Sequence, residues 1–303
     1  MIEYIKEFDR MDDLNRAMEY IEEHLTQTID YQQLAIIANC PIYYFQRIFF
    51  FMTQMTLNEY IRKRRMSLAI ADLQYTHNKI IDIAMKYGYE SPTAFNRAFQ
   101  SVHGCAPSLV RKCDVALKSY PMIKFNLSLQ GDKPLEYKIV HKECFHIIGK
   151  SYPLSRNLLE NFKHIPTKWD QAQACGMLNQ LKVFNNQEPY ALLGISIHHN
   201  DDWHYMIGTS STHKHYQFEN YLIPQATWAV FSGHGTNRDL QELERRIIVE
   251  WLPTSGYQYA QIPDIEVYIQ ADPNDTIYEY WLPIIKNKEN RYDTIKYQSN
   301  FFM

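Results

Sequence analysis

The pattern F-x-R-x-F occurs twice in this chain, as Phe45–Arg47–Phe49 and as Phe95–Arg97–Phe99, at an offset of fifty residues. On a helix turning about 100° per residue, Phe95, Phe99 and Val102 fall on one side with Ala98 nearby. Thr93, Asn96, Arg97 and Gln100 fall on the other side. In the first copy Phe45, Ile48, Phe49 and Met52 face inward, while Tyr43, Gln46, Arg47 and Phe50 face outward. Each copy is expected to bury its phenylalanines and to hold its arginine in the middle of an exposed face.

The flanking segments repeat as well. Asp12 is expected to cap a helix whose apolar residues Leu14, Ala17, Met18, Ile21 and Leu25 follow the spacing of one buried face. Asp30 is placed to cap a second helix, and Pro41 to open a third that runs through Met52. A longer helix is expected over 58–75. The pattern then restarts: 80–87 matches the second helix, Gly88 breaks it, and 92–102 matches the third. This spacing predicts an all-α double helix-turn-helix over residues 9–112. One copy alone would read as an ordinary amphipathic helix with a solvated face. Two copies, rigidly joined, can set their recognition helices about one DNA turn apart, roughly 34 Å.

Charge agrees with this reading. The chain carries a formal net charge of −3, yet residues 47–112 hold ten basic side chains against four acidic ones. Residues 1–46 hold three basic against nine acidic. A local basic patch marks a surface for a polyanion, which here means double-stranded DNA. No apolar run is long enough for a membrane span. The start lacks the pattern of a signal peptide, and five scattered cysteines form no C-x-x-C pair. A cytoplasmic setting is the expectation.

Beyond about residue 115 the texture changes to β-branched and aromatic runs: "EYKIVHKECFHIIGK", "YALLGISIHH", "WHYMIGTSS", "ATWAVFSGHG" and "DIEVYIQ". Helical stretches lie near 155–179 and 237–251. The order strand–helix–strand–strand appears at about 136–210 and again at 226–284, which predicts an α+β domain of two similar halves. The expected organisation is a linker over 113–134, this domain over 135–285, and a tail over 286–303.

The segment "IIDIAMKYGYESPTAFNRAFQSVHGCAPSLVR" resembles the AraC/XylS family of bacterial transcription regulators. Shared features are Ile83–Ala84, Gly88–Tyr89, Ser91, the Phe95–Arg97–Phe99 core, and Gly104 with Pro107. "EYIRKRRMSLA" resembles the family's linker helix. The resemblance implies a transcription regulator, with RNA polymerase as a further partner. Geometry and this resemblance together assign Tyr43, Gln46, Arg47, Thr93, Asn96, Arg97 and Gln100 to the DNA-facing surfaces. Arg47 and Arg97 suit guanine, and Gln46 suits adenine. Arg62, Arg64 and Lys112 are expected on phosphates, whereas Arg65 fits either a phosphate or a structural ion pair. Phe50 and Gln100 stand where the family usually has lysine, and Gln54 and Leu57 where it usually has glycine and proline. Fewer phosphate contacts imply a shallower salt dependence than is usual for the family. Phe50 is expected on the surface, against sugar or the second domain.

The later part, with Trp251–Leu252–Pro253, Ser255–Gly256–Tyr257, Pro263, Glu266, Tyr268 and Trp281–Leu282–Pro283, resembles GyrI-like effector-binding domains. That resemblance implies a cleft for a small, aromatic and often cationic effector. Glu266 is the expected counter-charge, with Tyr268, Trp203, Tyr205, Phe231 and Trp281, and Trp169 beside them, as candidate aromatic walls. Most of these aromatics, taken singly, read more readily as core. The histidines of "HHNDDWH" and "THKH" resemble a metal cluster, but Asn–Asp–Asp reads as a hairpin turn and adjacent strand residues point apart. No metal and no cofactor are expected. No nucleophile–base pair is visible, so the chain is expected not to be an enzyme. The alternative is a drug-binding or drug-hydrolysing GyrI-like protein that carries a DNA-targeting module.

Overall fold

The computed structural model describes residues 2–112, 115–126, 134–155, 157–199, 202–270 and 275–286. The expected tail beyond Lys286 and parts of the expected linker (113–114 and 127–133) lie outside the described residues. Contacts divide the chain into two units, one of Met1–Asp132 with Leu154–Thr167, the other of Lys133–Pro153 with Lys168–Met303.

The first unit is helical: α1 (Ile2–Glu23), α2 (Tyr31–Ile37), α3 (Ile42–Thr53), α4 (Leu57–Tyr75), α5 (Ile80–Lys86) and α6 (Pro92–His103). Asp30 caps α2, its side chain accepting from the Gln32 amide at 2.8 Å. Thr56 caps α4 through the Glu59 amide at 3.2 Å. Ser91 caps α6, with Pro92 in the first turn. Asp12 does not start a helix; α1 begins at Ile2 and carries Asp12 in its interior.

The second helix-turn-helix closes around Met66, Ala69 and Leu73 of α4, Ile83 and Ala84 of α5, and Phe95, Phe99 and Val102 of α6. Phe95 and Phe99 are fully buried, each contributing about 1.5–3 kcal/mol by area. Tyr89 meets Phe95 edge-on at 5.6 Å.

The first copy departs from the wheel. Every residue of α3 from Tyr43 to Phe51 is buried, Gln46 and Arg47 included. Apolar residues at 43, 44, 45, 48, 49, 50 and 51 surround this helix, and a helix apolar on all sides needs cover on all sides. Part of that cover is Phe162, whose ring lies 5.9 Å from Phe50 and 6.2 Å from Phe51. Phe162 lies in Leu154–Thr167, the later segment that clusters with the helical unit.

The second unit holds β1 (Tyr137–Lys142), β2 (Phe145–Pro153), β3 (Leu192–His199), β4 (Asp202–Ser210), β5 (Glu219–Ile223), β6 (Ala226–Gly235), β7 (Tyr257–Tyr259), β8 (Asp264–Gln270) and β9 (Thr276–Lys286). Its helices are α7 (Leu158–Ala174, shared with the first unit), α8 (Met177–Phe184) and α9 (Asn237–Arg246). The strands form one antiparallel sheet in the order β1-β6-β9-β8-β3-β4-β2-β5, with β7 on β9. Its two halves, β2–α7–α8–β3–β4 and β6–α9–β8–β9, place β3 and β8 side by side at the seam. The run 136–150 is two strands rather than one, and β1 joins the other half by pairing with β6.

A period of two gives each strand two faces. Leu193, Ile195, Val267 and Trp281 enter an apolar cluster with Trp228 and Val230. Glu266, paired with Gly194 on β3 and with Tyr280 on β9, shows the opposite face. A capping box between Thr236 and Asp239 starts α9, which runs on through a π-turn over Ile247–Trp251.

Candidate functional site

The helical unit presents an open polar face on α6. Thr93, Arg97 and Gln100 are exposed and Asn96 is half-buried, on the side opposite Phe95 and Phe99. Gly104 ends the helix in the left-handed region at φ 79°, its amide bonded to the Gln100 carbonyl. Arg62 and Lys112 are exposed as well.

The equivalent residues of α3 are not on an open face. Arg47 is 1 % exposed, with its guanidinium 5.1 Å from the centre of the Tyr43 ring. Gln46, Tyr43 and Phe50 are buried with it. The expectation of an exposed first reader is corrected on that ground: both sides of α3 are apolar, so both are covered.

Arg64 is corrected too. Its Nε donates to Glu22 at 2.8 Å, and the same carboxylate accepts from the Tyr60 hydroxyl at 2.7 Å. Its Nη1 donates to the Tyr120 carbonyl. These bonds tie α1, α4 and the chain after α6 together, so the guanidinium is engaged inside the fold. Arg65 donates to the Gln27 carbonyl at 2.9 Å.

In the sheet unit, Glu266 is the centre of a hydrogen-bonded cluster at the seam of the two halves. Tyr205 from β4 donates to its Oε2 at 2.5 Å, and Tyr268 donates to the same oxygen at 2.7 Å. Trp169 of α7 donates its indole N–H to the Tyr205 oxygen at 3.0 Å and meets the Tyr268 ring at 4.7 Å. Burial pushes the Glu266 carboxyl up to about 7, and Glu244 and Asp264 push the same way, against the two tyrosine bonds. Burial also raises Tyr205 and Tyr268 well above the ordinary phenol value, so both remain protonated donors. The result is an acidic, aromatic-walled site whose carboxyl stands on the edge of ionisation at neutral pH.

Gly194 is the floor of this site. A Cβ there would lie 2.0 Å from the Tyr205 hydroxyl and 2.6 Å from Glu266 Oε2. Gly194, Glu244 and Asp264 were not among the residues expected here; a glycine inside the apolar run "LLGISI" is the signal that points to close approach. Asp264 is buried two residues from Glu266 and accepts from the Tyr259 and Tyr280 hydroxyls.

Of the remaining expected walls, Phe231 shares the Glu266 face through Tyr280, but it is fully buried and edge-on to Trp251 at 4.9 Å. Trp203 is buried against His198 at 5.5 Å, four strand residues from Gly194. Trp281 lies on the opposite face, 5.8 Å from Trp228, because the strand period turns it away from its neighbour Tyr280. Asp201, Asn200 and the side chain of His199 lie outside the described residues. Among the described residues no group of three or more His, Cys, Asp or Glu side chains converges as a metal site would.

Comparison with known proteins matches residues 135–285 to the GyrI-like small molecule binding domain and residues 34–112 to a helix-turn-helix domain. Regulatory protein SoxS of Salmonella typhimurium is 40% identical over 95 residues, 31% of this chain and 89% of SoxS. The HTH-type transcriptional regulator YbfP of Bacillus subtilis is 27% identical over 168 residues, 53% of this chain and 57% of that protein. A solved bacterial transcription regulation protein from Staphylococcus aureus is 20% identical, covering 50% of this chain and 99% of its own, with TM-score 0.43. The chain belongs to the AraC family of transcriptional regulators. It joins that family's DNA-binding helix-turn-helix region to a GyrI-like small-molecule-binding domain.

Proposed function

We propose that the effector is an aromatic cation held at Glu266, and that α6 is the principal DNA reader. The observation behind the first part is the Glu266 carboxyl, which accepts from Tyr205 and Tyr268, with Trp169 bonded to Tyr205 and set against the Tyr268 ring. Both tyrosines donate to one carboxylate oxygen, so a cation can complete the charge balance. Aromatic faces add about 2 kcal/mol when desolvated. The second part rests on Arg97, exposed between Thr93 and Gln100 on the face suited to base edges. Arg62 and Lys112 are the phosphate contacts.

The chain acts as a binder without turnover, in the cytoplasm, and its output passes to RNA polymerase. The support is that its relatives are transcription regulators and that no single helix among the described residues is long and apolar enough to cross a membrane. Residues 9–112 and 135–285 are its two working parts.

The test uses two ions of one shape. Tetraphenylphosphonium and tetraphenylborate differ chiefly in charge, so calorimetric titration of each into the full chain isolates the carboxylate's contribution. The cation should bind and the anion should not, and Glu266→Gln should remove the difference. Equal binding of both ions would overturn the charge assignment.

A further inference from the structure

The sheet has a second face, and a cavity of about 280 Å³ opens on it. Val267 and Trp281 line this cavity, each next in sequence to a residue of the other face, Glu266 and Tyr280. The Glu266 cluster and the cavity thus draw on the same two strands, β8 and β9, and divide their residues by alternation. Every lining residue falls within Lys133–Pro153 or the stretch from Lys168 onward, so the cavity belongs wholly to the sheet unit.

Lys138, Val140 and Lys142 line it from alternate positions of β1, and Glu188 to Ala191 line it from the chain just before β3. Tyr190 is 71% exposed and Ile269 is 57% exposed, so two large side chains of one cavity still meet water. A ligand that covers them removes apolar surface from water, which favours binding.

The charges decide what kind of ligand this is. Glu279 is engaged on both oxygens: Lys138 donates to Oε1 at 3.0 Å and the Trp281 indole N–H donates to Oε2 at 2.8 Å. Glu188 instead stands out in solvent, its side chain 64% exposed, and accepts from Lys142. An ion pair in contact with water is weakly held, because hydration and salt compete for both members. Lys142 is therefore a charge that can change partner without breaking a buried bond. Its ammonium lies 5.8 Å from the centre of the Trp281 ring, so an anion bound there has an aromatic surface close by.

We propose that this cavity is a second small-molecule site, built for an aromatic carboxylate of one or two rings. The ligand carboxylate replaces Glu188 on Lys142, and the Glu188 carboxylate returns to water. The ring lies against Trp281, Val267 and Ile269, with Tyr190 at its edge. Apolar walls with a few placed charges are the usual build of a ligand site, and the volume stands at the small end of that range, roughly 300 Å³. The domain then holds ligands of opposite charge on opposite faces of one sheet. The anion site stands independently of the effector reading at Glu266.

The test uses three naphthalenes of similar shape and different charge: naphthoate, naphthylmethanol and naphthylmethylammonium, each titrated into the full chain by calorimetry. Naphthoate should bind about tenfold tighter than the alcohol, the gain of one charge-assisted hydrogen bond. Lys142→Gln should bring naphthoate down to the alcohol's affinity, and Lys142→Arg should keep most of the difference. Glu188→Gln should tighten naphthoate by removing its competitor. Tyr190→Ala should weaken naphthoate and the alcohol alike. All four variants should melt at the parental temperature. Naphthoate that binds no tighter than the alcohol, or that ignores Lys142→Gln, overturns the proposal. So does a preference for the ammonium that Glu188→Gln removes. Glu266→Gln should leave naphthoate binding intact, and its loss there would place the anion on the Glu266 face and overturn the second site. Failure of tetraphenylphosphonium to bind would strike the effector reading alone.

Discussion

Glu266 accepts two hydroxyl hydrogen bonds on one oxygen, and its burial sets both its charge and its pH response. With the carboxyl raised to about 7, its ionised fraction grows about tenfold between pH 6 and pH 8. Binding of a permanently charged aromatic cation should strengthen by about the same factor over that range, read by titration at several pH values. Stability moves the other way. Between the ordinary carboxyl value and about 7 the folded state binds more protons than the unfolded one, so stability falls as pH rises through that window. Glu266→Gln should flatten both profiles. Gly194→Ala is the second test at this scale: its methyl group has no room beneath the Tyr205–Glu266 bond. Cation binding should be lost and the melting temperature lowered, as expected where backbone or side chains must shift by more than a few tenths of an ångström.

At the scale of elements, the two recognition helices end alike and differ in what the end demands. Gly104 and Gln54 occupy the same place fifty residues apart, and both take left-handed backbone, at φ 79° and φ 55°. Glycine accepts this freely; glutamine does not, although its side chain recovers a bond to the Phe51 carbonyl at 3.2 Å. Gln54→Gly should stabilise the chain by about 0.5–1 kcal/mol in denaturant unfolding, and Gly104→Ala should destabilise it by a similar amount. The arginines separate by element as well. Arg97→Ala should abolish specific DNA binding without shifting the melting temperature. Arg64→Ala leaves Glu22 facing Tyr60 without its cation and should lose about 3 kcal/mol of stability. Much of this was legible beforehand: the cap at Asp30, the break at Gly88 and the buried Phe95–Phe99 pair all follow from local spacing. What covers α3 was not, because a helical wheel shows which residues share a side and says nothing of what packs there. Arg64 was misassigned for the same reason, since its partner Glu22 lies 42 residues away.

For the whole molecule, the number of exposed basic side chains near the reading face sets the salt response of DNA binding. With Arg64 engaged by Glu22 and Gln100 in place of a lysine, the phosphate contacts proposed above are Arg62 and Lys112. The slope of log affinity against log salt should be well below that of a protein making six to ten phosphate contacts, and Arg62→Ala or Lys112→Ala should each reduce it by about one. The sequence by itself determined the tandem helix-turn-helix, the strand-rich second half with its duplicated order, and the place of Glu266 inside a strand. Those features are written in period, cap residues and local motifs, which need no knowledge of distant partners. Tertiary structure alone decided that Arg47 is covered while Arg97 is open, that Trp281 faces away from Glu266, and that Gly194 lies beneath the Tyr205–Glu266 bond. Each of those outcomes turns on which residues meet across long stretches of chain, and a single sequence carries no record of such meetings.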